Sequence, residues 1–281
     1  MTATSNPHFP GQARSYNLDR PFELNGENVR LNAQALVPFA IEANALRTHE
    51  IGAAGTVLMD LGPGNGEYLR LMAQTFELDN VVAIEANASF LELCRRRLPS
   101  AKFYHGNVVV PDLLKNVLEE IRPSVVTARY LFQHLTADHC DGVLATIRNV
   151  APGTRLIVTD TDDTFMMVDP PLLAISRLNR RLVEWQADRG GDRYIGRRLK
   201  TLFAKHGFSD IKATPVLISS HEVGLRAWWS AYGPIYLRIG NDYNAAADDP
   251  DYLSACQWVE DNADNPSVWI SKIIHIVSGI T

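Results

Sequence analysis

Between residues 55 and 160 the chain alternates short β-branched runs with longer stretches of helical spacing, and that alternation constrains the fold more than any other feature. Residues 57–61, 81–85, 101–104, 125–128 and 156–159 read as buried strands. Between them, residues 68–76, 90–98, 113–121 and 142–150 carry apolar side chains at helical spacing, as Leu113, Leu114, Val117, Leu118 and Ile121 do. Parallel neighbours need crossover connections, and right-handed crossovers place helices on both faces of a sheet. The expected fold is therefore α/β, a doubly wound, mostly parallel sheet whose ligands bind beyond the C-terminal strand ends.

After residue 160 the pattern changes. Pro170 and Pro171 open a helix whose Ile175, Leu178, Leu182 and Trp185 share one face, and it ends near Gly190 and Gly191. A second helix is expected over residues 196–205, a strand over 211–219 and a final β-branched strand over 268–278. A Trp- and Tyr-rich segment (222–239) and a polar stretch (241–251) lie between those strands. With no internal repeat or low-complexity linker, one domain over residues 1–281 with appended lid segments is expected.

Composition narrows the function classes. The 27 basic and 32 acidic side chains leave a net charge of −5, so no overall basic field invites nucleic acid. The polar opening residues, with Pro7 and Pro10, lack a signal peptide's apolar stretch, and no apolar run approaches the roughly 20 residues of a membrane span. A cytoplasmic protein with no membrane partner is the expectation. Cys94, Cys140 and Cys256 have no C-x-x-C spacing and read as apolar packing residues, not as a disulfide or zinc framework.

The chemistry is carried by Asp60-Leu-Gly62-Pro-Gly64-Asn-Gly66, between the first strand and the first helix. Alternate glycines let the backbone take positive φ and approach a ligand, and the N–H groups of the following helix face polar atoms. Glu85, nineteen residues past Gly66, ends the second strand, where a carboxylate can accept both hydroxyls of a ribose. A nicotinamide enzyme would carry G-x-G-x-x-G instead. The D-x-G-x-G-x-G spacing resembles the first motif of the class I S-adenosylmethionine-dependent methyltransferases, over about residues 55 to 160.

The resemblance implies a seven-stranded, Rossmann-like sheet with an N-terminal helical lid (1–45), a cofactor-binding core (55–160) and an acceptor-site insert with C-terminal strands (161–281). It implies S-adenosylmethionine as cofactor, with Asp60, Gly62, Gly64 and Gly66 around the methionine part and Glu85, with Ala86, at the ribose. Asn107 and Val108 would meet the adenine. Asn107 departs from the commoner Asp, but its carbonyl oxygen can still accept from the adenine amine. Residues 124–135 look like the family's fourth strand and following turn, which brings Arg129, Gln133 and His134 beside the sulfonium. Tyr16, the Glu27–Gln34 segment and residues 196–208 are similar to parts of small-molecule methyltransferases, the quinone and natural-product enzymes. Arg30 would reach the cofactor's carboxylate, and Tyr16 is a further cofactor contact.

The expected reaction is C-, N- or O-methylation of a small aromatic or apolar acceptor, in secondary metabolism or quinone-like biosynthesis. His134 is the candidate base because an imidazole with a pKa near 6.5 accepts a proton at neutral pH. Tyr16 and Asp160 are the alternatives, with Asp162 and Asp163 beside Asp160. No metal is expected, because the Asp160 cluster lacks a second acidic group at a recognisable spacing. Trp185, Trp228, Trp229, Tyr232, Tyr236 and Phe165 would suit a flat acceptor such as an indole, phenol, quinone or prenyl compound. Two other readings stay open: a SAM-binding enzyme of another reaction type, and a non-catalytic SAM-binding partner protein. The N-terminal segment would also be long enough to reach a second subunit of a homo-oligomer.

Overall fold

The computed structural model describes residues 21–52, 55–241 and 243–281. Helices α1 (Pro21–Leu36) and α2 (Phe39–Thr48) lead into the alternating region. There β1 (Val57–Leu61), α3 (Glu67–Thr75), β2 (Asn80–Glu85), α4 (Ala88–Arg97), β3 (Lys102–His105), α5 (Pro111–Ile121) and β4 (Val125–Arg129) follow in turn. A short 3-10 turn, Phe132–His134, then precedes α6 (Ala137–Val150) and β5 (Arg155–Asp169). Next come α7 (Leu173–Ala187), α8 (Ile195–Lys205) and β6 (Ser209–Ser219). Helices α9 (Ser220–Val223), α10 (Leu225–Tyr232), α11 (Tyr243–Ala247) and α12 (Pro250–Asn262) precede β7 (Trp269–Ile280), with 3-10 backbone over Gly233–Asn241.

The sheet runs β3-β2-β1-β4-β5-β7-β6, parallel except for β7, which is antiparallel to both its neighbours. This is the seven-stranded, Rossmann-like order expected. The strand order reverses between β1 and β4, which opens a crevice at their C-terminal ends. Successive side chains of a strand enter opposite layers: Leu58 packs with Ile157 and Leu69, whereas Met59 packs with Val126 and Leu144. Caps explain where helices begin. Asn87 Oδ1 accepts from the Phe90 amide at 3.0 Å, and Thr136 Oγ1 from the His139 amide, each contributing about 1 kcal/mol.

The largest departure from expectation is β5. A strand is expected only over residues 156–159, yet β5 is 15 residues long and continues beyond β4 as a ribbon paired with β7, irregular between Asp162 and Met167. Asp160, Asp162 and Asp163, which lie beyond the expected strand end, are therefore strand residues buried in the sheet. The polar stretch after residue 241 also folds, into α11 and α12. Asp249 caps α12 by accepting from the Asp251 and Tyr252 amides, with Pro250 as its first residue.

Candidate active site

A cavity of about 1510 Å³, mouth included, opens at the β1/β4 switch point and runs back to the β5/β7 ribbon. Its near half is built on the glycine loop. Gly62, Gly64 and Gly66 have φ of +69°, +59° and +80°. A Cβ on Gly66 would stand 2.9 Å from Cys94 Sγ and 3.0 Å from Cys94 Cα, so glycine is required both by φ and by the close approach of α4. The Cys94 thiol donates to the Gly64 carbonyl at 3.1 Å, and burial pushes its pKa far up, which makes it packing and not chemistry.

Glu85 does more than end β2. Its Oε2 accepts from the Gly64 amide at 3.0 Å and its Oε1 from the Asn87 amide at 2.7 Å, so one carboxylate holds the loop and the start of α4 together. Burial pushes its pKa up to about 7, against the pull of those amides. Asp60, raised to about 6 by burial, accepts from the Thr127 hydroxyl at 2.6 Å. Ala86, Asn107 and Val108 line the same half, and Asn107 Oδ1 accepts from the Val109 amide at 3.2 Å.

Helix α1 closes the mouth with Arg30, Leu31, Gln34 and Ala35. Asn65, inside the glycine loop, donates through Nδ2 to Asn28 and Asn32 Oδ1, both at 2.9 Å. Arg97 donates to Asn32 Oδ1 at 2.8 Å, completing the fastening. Nothing in the sequence singles out these asparagines, because amide pairs carry no spacing signal. Arg30 lines the cavity and donates to Glu27 through Nε at 2.8 Å and Nη2 at 2.6 Å, while Arg238 approaches Glu27 to 3.3 Å. Tyr16 lies outside the described residues.

Arg129 lines the cavity, but its guanidinium is engaged. It meets buried Glu42 of α2 with Nε–Oε2 at 2.8 Å and Nη2–Oε1 at 2.7 Å, donates to the Gln34 carbonyl, and lies 4.0 Å from the Tyr68 ring centroid. Burial opposes its charge, but Glu42 outweighs burial and pushes its pKa up. The chain then turns through Tyr130, whose φ is +52° and whose amide donates to the Thr159 carbonyl at 2.8 Å. Such a backbone in a bulky residue is strained and concentrates at functional sites.

His134 faces the cavity, partly exposed to it. Burial and then Arg238, Arg193 and Arg30 push its pKa down to about 3, so the neutral-pH titration expected of it does not hold. An imidazole of that pKa is a poor proton acceptor. Asp160 corrects a second expectation: it is fully buried, does not line the cavity, and accepts instead from the Gln133 and Thr161 amides. It braces the turn that carries His134. Asp162 is taken up by Arg197, and Asp163 by Arg193. Among the described residues no group of three or more His, Cys, Asp or Glu is arranged to hold a metal ion.

The far half is walled by Trp228, Tyr232 and Tyr236, with Leu182, Met166, Asp163, Arg193 and Lys272. Of the other aromatic candidates, Trp185 and Trp229 pack in the core, and Phe165 is exposed beside Arg197. Among the described residues no helix is long and apolar enough to cross a membrane.

A family model described as a methyltransferase domain matches residues 33–213. An uncharacterized 37.1 kDa protein in transposon TN4556 of Streptomyces fradiae is 30% identical over 166 residues, 58% of this chain and 46% of that protein. The fold is similar to phosphoethanolamine N-methyltransferase 2 of Haemonchus contortus, solved with phosphomonomethylethanolamine and S-adenosylhomocysteine. That likeness has a TM-score of 0.51 at 16% identity, over 86% of this chain and 52% of that one. The Bacillus subtilis YcgJ protein is matched at a TM-score of 0.52 and 12% identity, over 86% of this chain and 98% of that one. The chain thus spans about half the length of the Streptomyces and Haemonchus proteins. At such identities the two structures speak for the fold alone, whereas the family match takes in the glycine loop, Glu85, Asn107 and the β4 turn. The chain belongs to the methyltransferase-domain family and has the seven-stranded, Rossmann-like fold of class I methyltransferases.

Proposed function

We propose that this enzyme methylates a small, flat or apolar acceptor held in the far half of the cavity, by in-line displacement. The observation that carries the reading is one continuous cavity with the glycine loop and Glu85 at one end and Trp228, Tyr232, Tyr236 and Leu182 at the other. S-adenosylmethionine, when bound, supplies an electrophilic methyl on a sulfonium. The near half fits it. Each Glu85 oxygen accepts one amide and keeps a lone pair, so both ribose hydroxyls can be taken up. Gly64 offers room, since a Cβ there would find only Leu31 within 4 Å, at 3.4 Å. Arg30 would pair with the cofactor's carboxylate, and Asn107 and Val108 would border the adenine.

On this reading residues 1–281 act as one domain, with α1 in a lid, and positioning supplies most of the acceleration, up to roughly 7–11 kcal/mol in well-oriented systems. Calorimetry should register S-adenosylmethionine with a Kd in the micromolar range, about −8 kcal/mol, and no binding of NAD. Tight NAD binding without S-adenosylmethionine binding would falsify the cofactor assignment. Formation of S-adenosylhomocysteine on adding a metabolite extract would identify the acceptor and separate methylation from other SAM chemistry.

His134 gives a second expected result. A general base typically contributes about 10²- to 10⁴-fold, but with its pKa near 3 this histidine stays neutral across the working range. His134→Gln should lower kcat by less than about tenfold and leave the kcat–pH profile unchanged between about pH 5 and 8. A hundredfold loss together with a lost acid limb would restore the base.

A further inference from the structure

Lys272 of β7 is a buried cation in the cavity wall whose charge is incompletely answered by the described residues. The nearest carboxylate oxygen paired with its Nζ is Asp163 Oδ1 at 3.6 Å, too long for a hydrogen bond. That carboxylate is already occupied, with Oδ1 accepting from the Thr161 hydroxyl and Oδ2 from Arg193 Nε at 2.6 Å. Arg193 in turn donates to Gln133 Oε1 at 2.8 Å. Asp160, the other acid near Lys272, spends its oxygens on the Gln133 and Thr161 amides. The Tyr232 and Tyr130 ring centroids lie 4.9 Å and 5.6 Å from Lys272 Nζ. Their hydroxyls are neighbours, and both are buried with no hydrogen bond of proper geometry among the described residues.

Lys272, Tyr130 and Tyr232 all line the cavity on the acceptor side. An ammonium has three donors and no acceptor, and a buried ammonium left unmet is costly. Water can serve those donors in the open cavity; an acceptor that expels the water has to replace it. We propose that Lys272, with the Tyr130 and Tyr232 hydroxyls, holds an oxyanion of the methyl acceptor, a carboxylate carried by an otherwise flat or apolar molecule. The proposal rests on the far half of the cavity being the acceptor site. Lys272 and Arg193 face Asp163 and Asp160, and burial raises the Asp160 pKa to about 7, so that with Asp160 protonated one positive charge is left to match a single carboxylate. The lowering of the Lys272 pKa to about 8, caused first by burial, is the cost that a bound anion would relieve.

Benzoate and benzamide test this, being matched in shape and differing in charge. Titrated by calorimetry onto the full chain saturated with S-adenosylhomocysteine, benzoate should bind with a Kd of about 1 mM and at least about tenfold more tightly than benzamide. Lys272→Met should abolish that preference while leaving the affinities for benzamide and S-adenosylhomocysteine unchanged. If that variant fails to fold, the double change Tyr130→Phe with Tyr232→Phe should still reduce the preference. Equal binding of benzamide, a preference that survives Lys272→Met, or no benzoate binding up to about 50 mM would each overturn the proposal. So would weaker S-adenosylhomocysteine binding in Lys272→Met, because Lys272 would then serve the cofactor's own carboxylate. Benzoate is also titrated onto the free chain, so that a failure of S-adenosylhomocysteine to bind faults the cofactor reading and not this one.

Discussion

Arg129→Ala should melt about 10 °C below the unmodified protein, from a loss of about 3–5 kcal/mol. The size follows from what is left behind. Glu42 is fully buried, and in the variant its carboxylate would lose both donors of a two-pronged ion pair. Removing one partner of a buried pair strands the other charge, whereas removing both charges strands none. The double change Arg129→Gln with Glu42→Gln should therefore recover most of the loss. Scanning calorimetry of the three proteins checks this. Unchanged melting in Arg129→Ala, together with weakened cofactor binding, would assign Arg129 to the cofactor and not to the fastening of α2 to β4.

Glu85→Ala should weaken cofactor binding by about 100-fold, more than the loss of a ribose contact alone would give. A charged acceptor to a hydroxyl is worth roughly 1.5–3 kcal/mol, or about tenfold to a hundredfold in Kd. The same carboxylate also holds the Gly64 and Asn87 amides, so its removal loosens the loop as well. Protonation should act in the same direction. Burial holds the Glu85 pKa up near 7, and accepting from two hydroxyls favours the ionised form. Affinity for S-adenosylhomocysteine should accordingly fall as the pH drops below about 7, by up to about tenfold per unit, and level off above it. Glu85→Gln should abolish that slope. If the slope persists in the variant, it belongs to Asp60, whose pKa burial raises to about 6.

The parts of the fold legible in the sequence are those with a local cause. Strand β1 and the loop after it carry their own signals, a five-residue run that is apolar except for Asp60 and glycines at alternate positions, and both fold where expected. Helix α8 begins one residue before its expected start, with Ile195 joining Leu199 and Phe203 on the buried face. What could not be read has a non-local cause. Nothing local marks residues 160–169 as strand; β7, more than a hundred residues later, supplies the partner that makes them one. The same applies to Glu42 and Asn65, whose partners lie 87 and 37 residues away. His134 was legible as a cavity residue, but its chemistry was not, because Arg30, Arg193 and Arg238 reach it from three separate segments.

The overhang of β5 and β7 beyond β4 gives the wall of the cavity's far half, the proposed acceptor side, a mechanical origin. Met166, Asp163 and Lys272 sit on strands that are continuous with the central sheet, not on a loop draped over it. A loop can be lengthened or re-bent while the scaffold beneath it stays intact. Here Lys272 is paired with Ile218 of β6, whereas Asp163 and Met166 fall in the irregular stretch of β5, where the Asp163 amide donates to the Arg193 carbonyl at 3.0 Å. Adaptability at Lys272 is thus coupled to the cohesion of the sheet, and the freedom to accommodate a different ligand resides in the irregular stretch of β5 and in the opposing helical side, around Leu182 of α7 and Trp228 of α10.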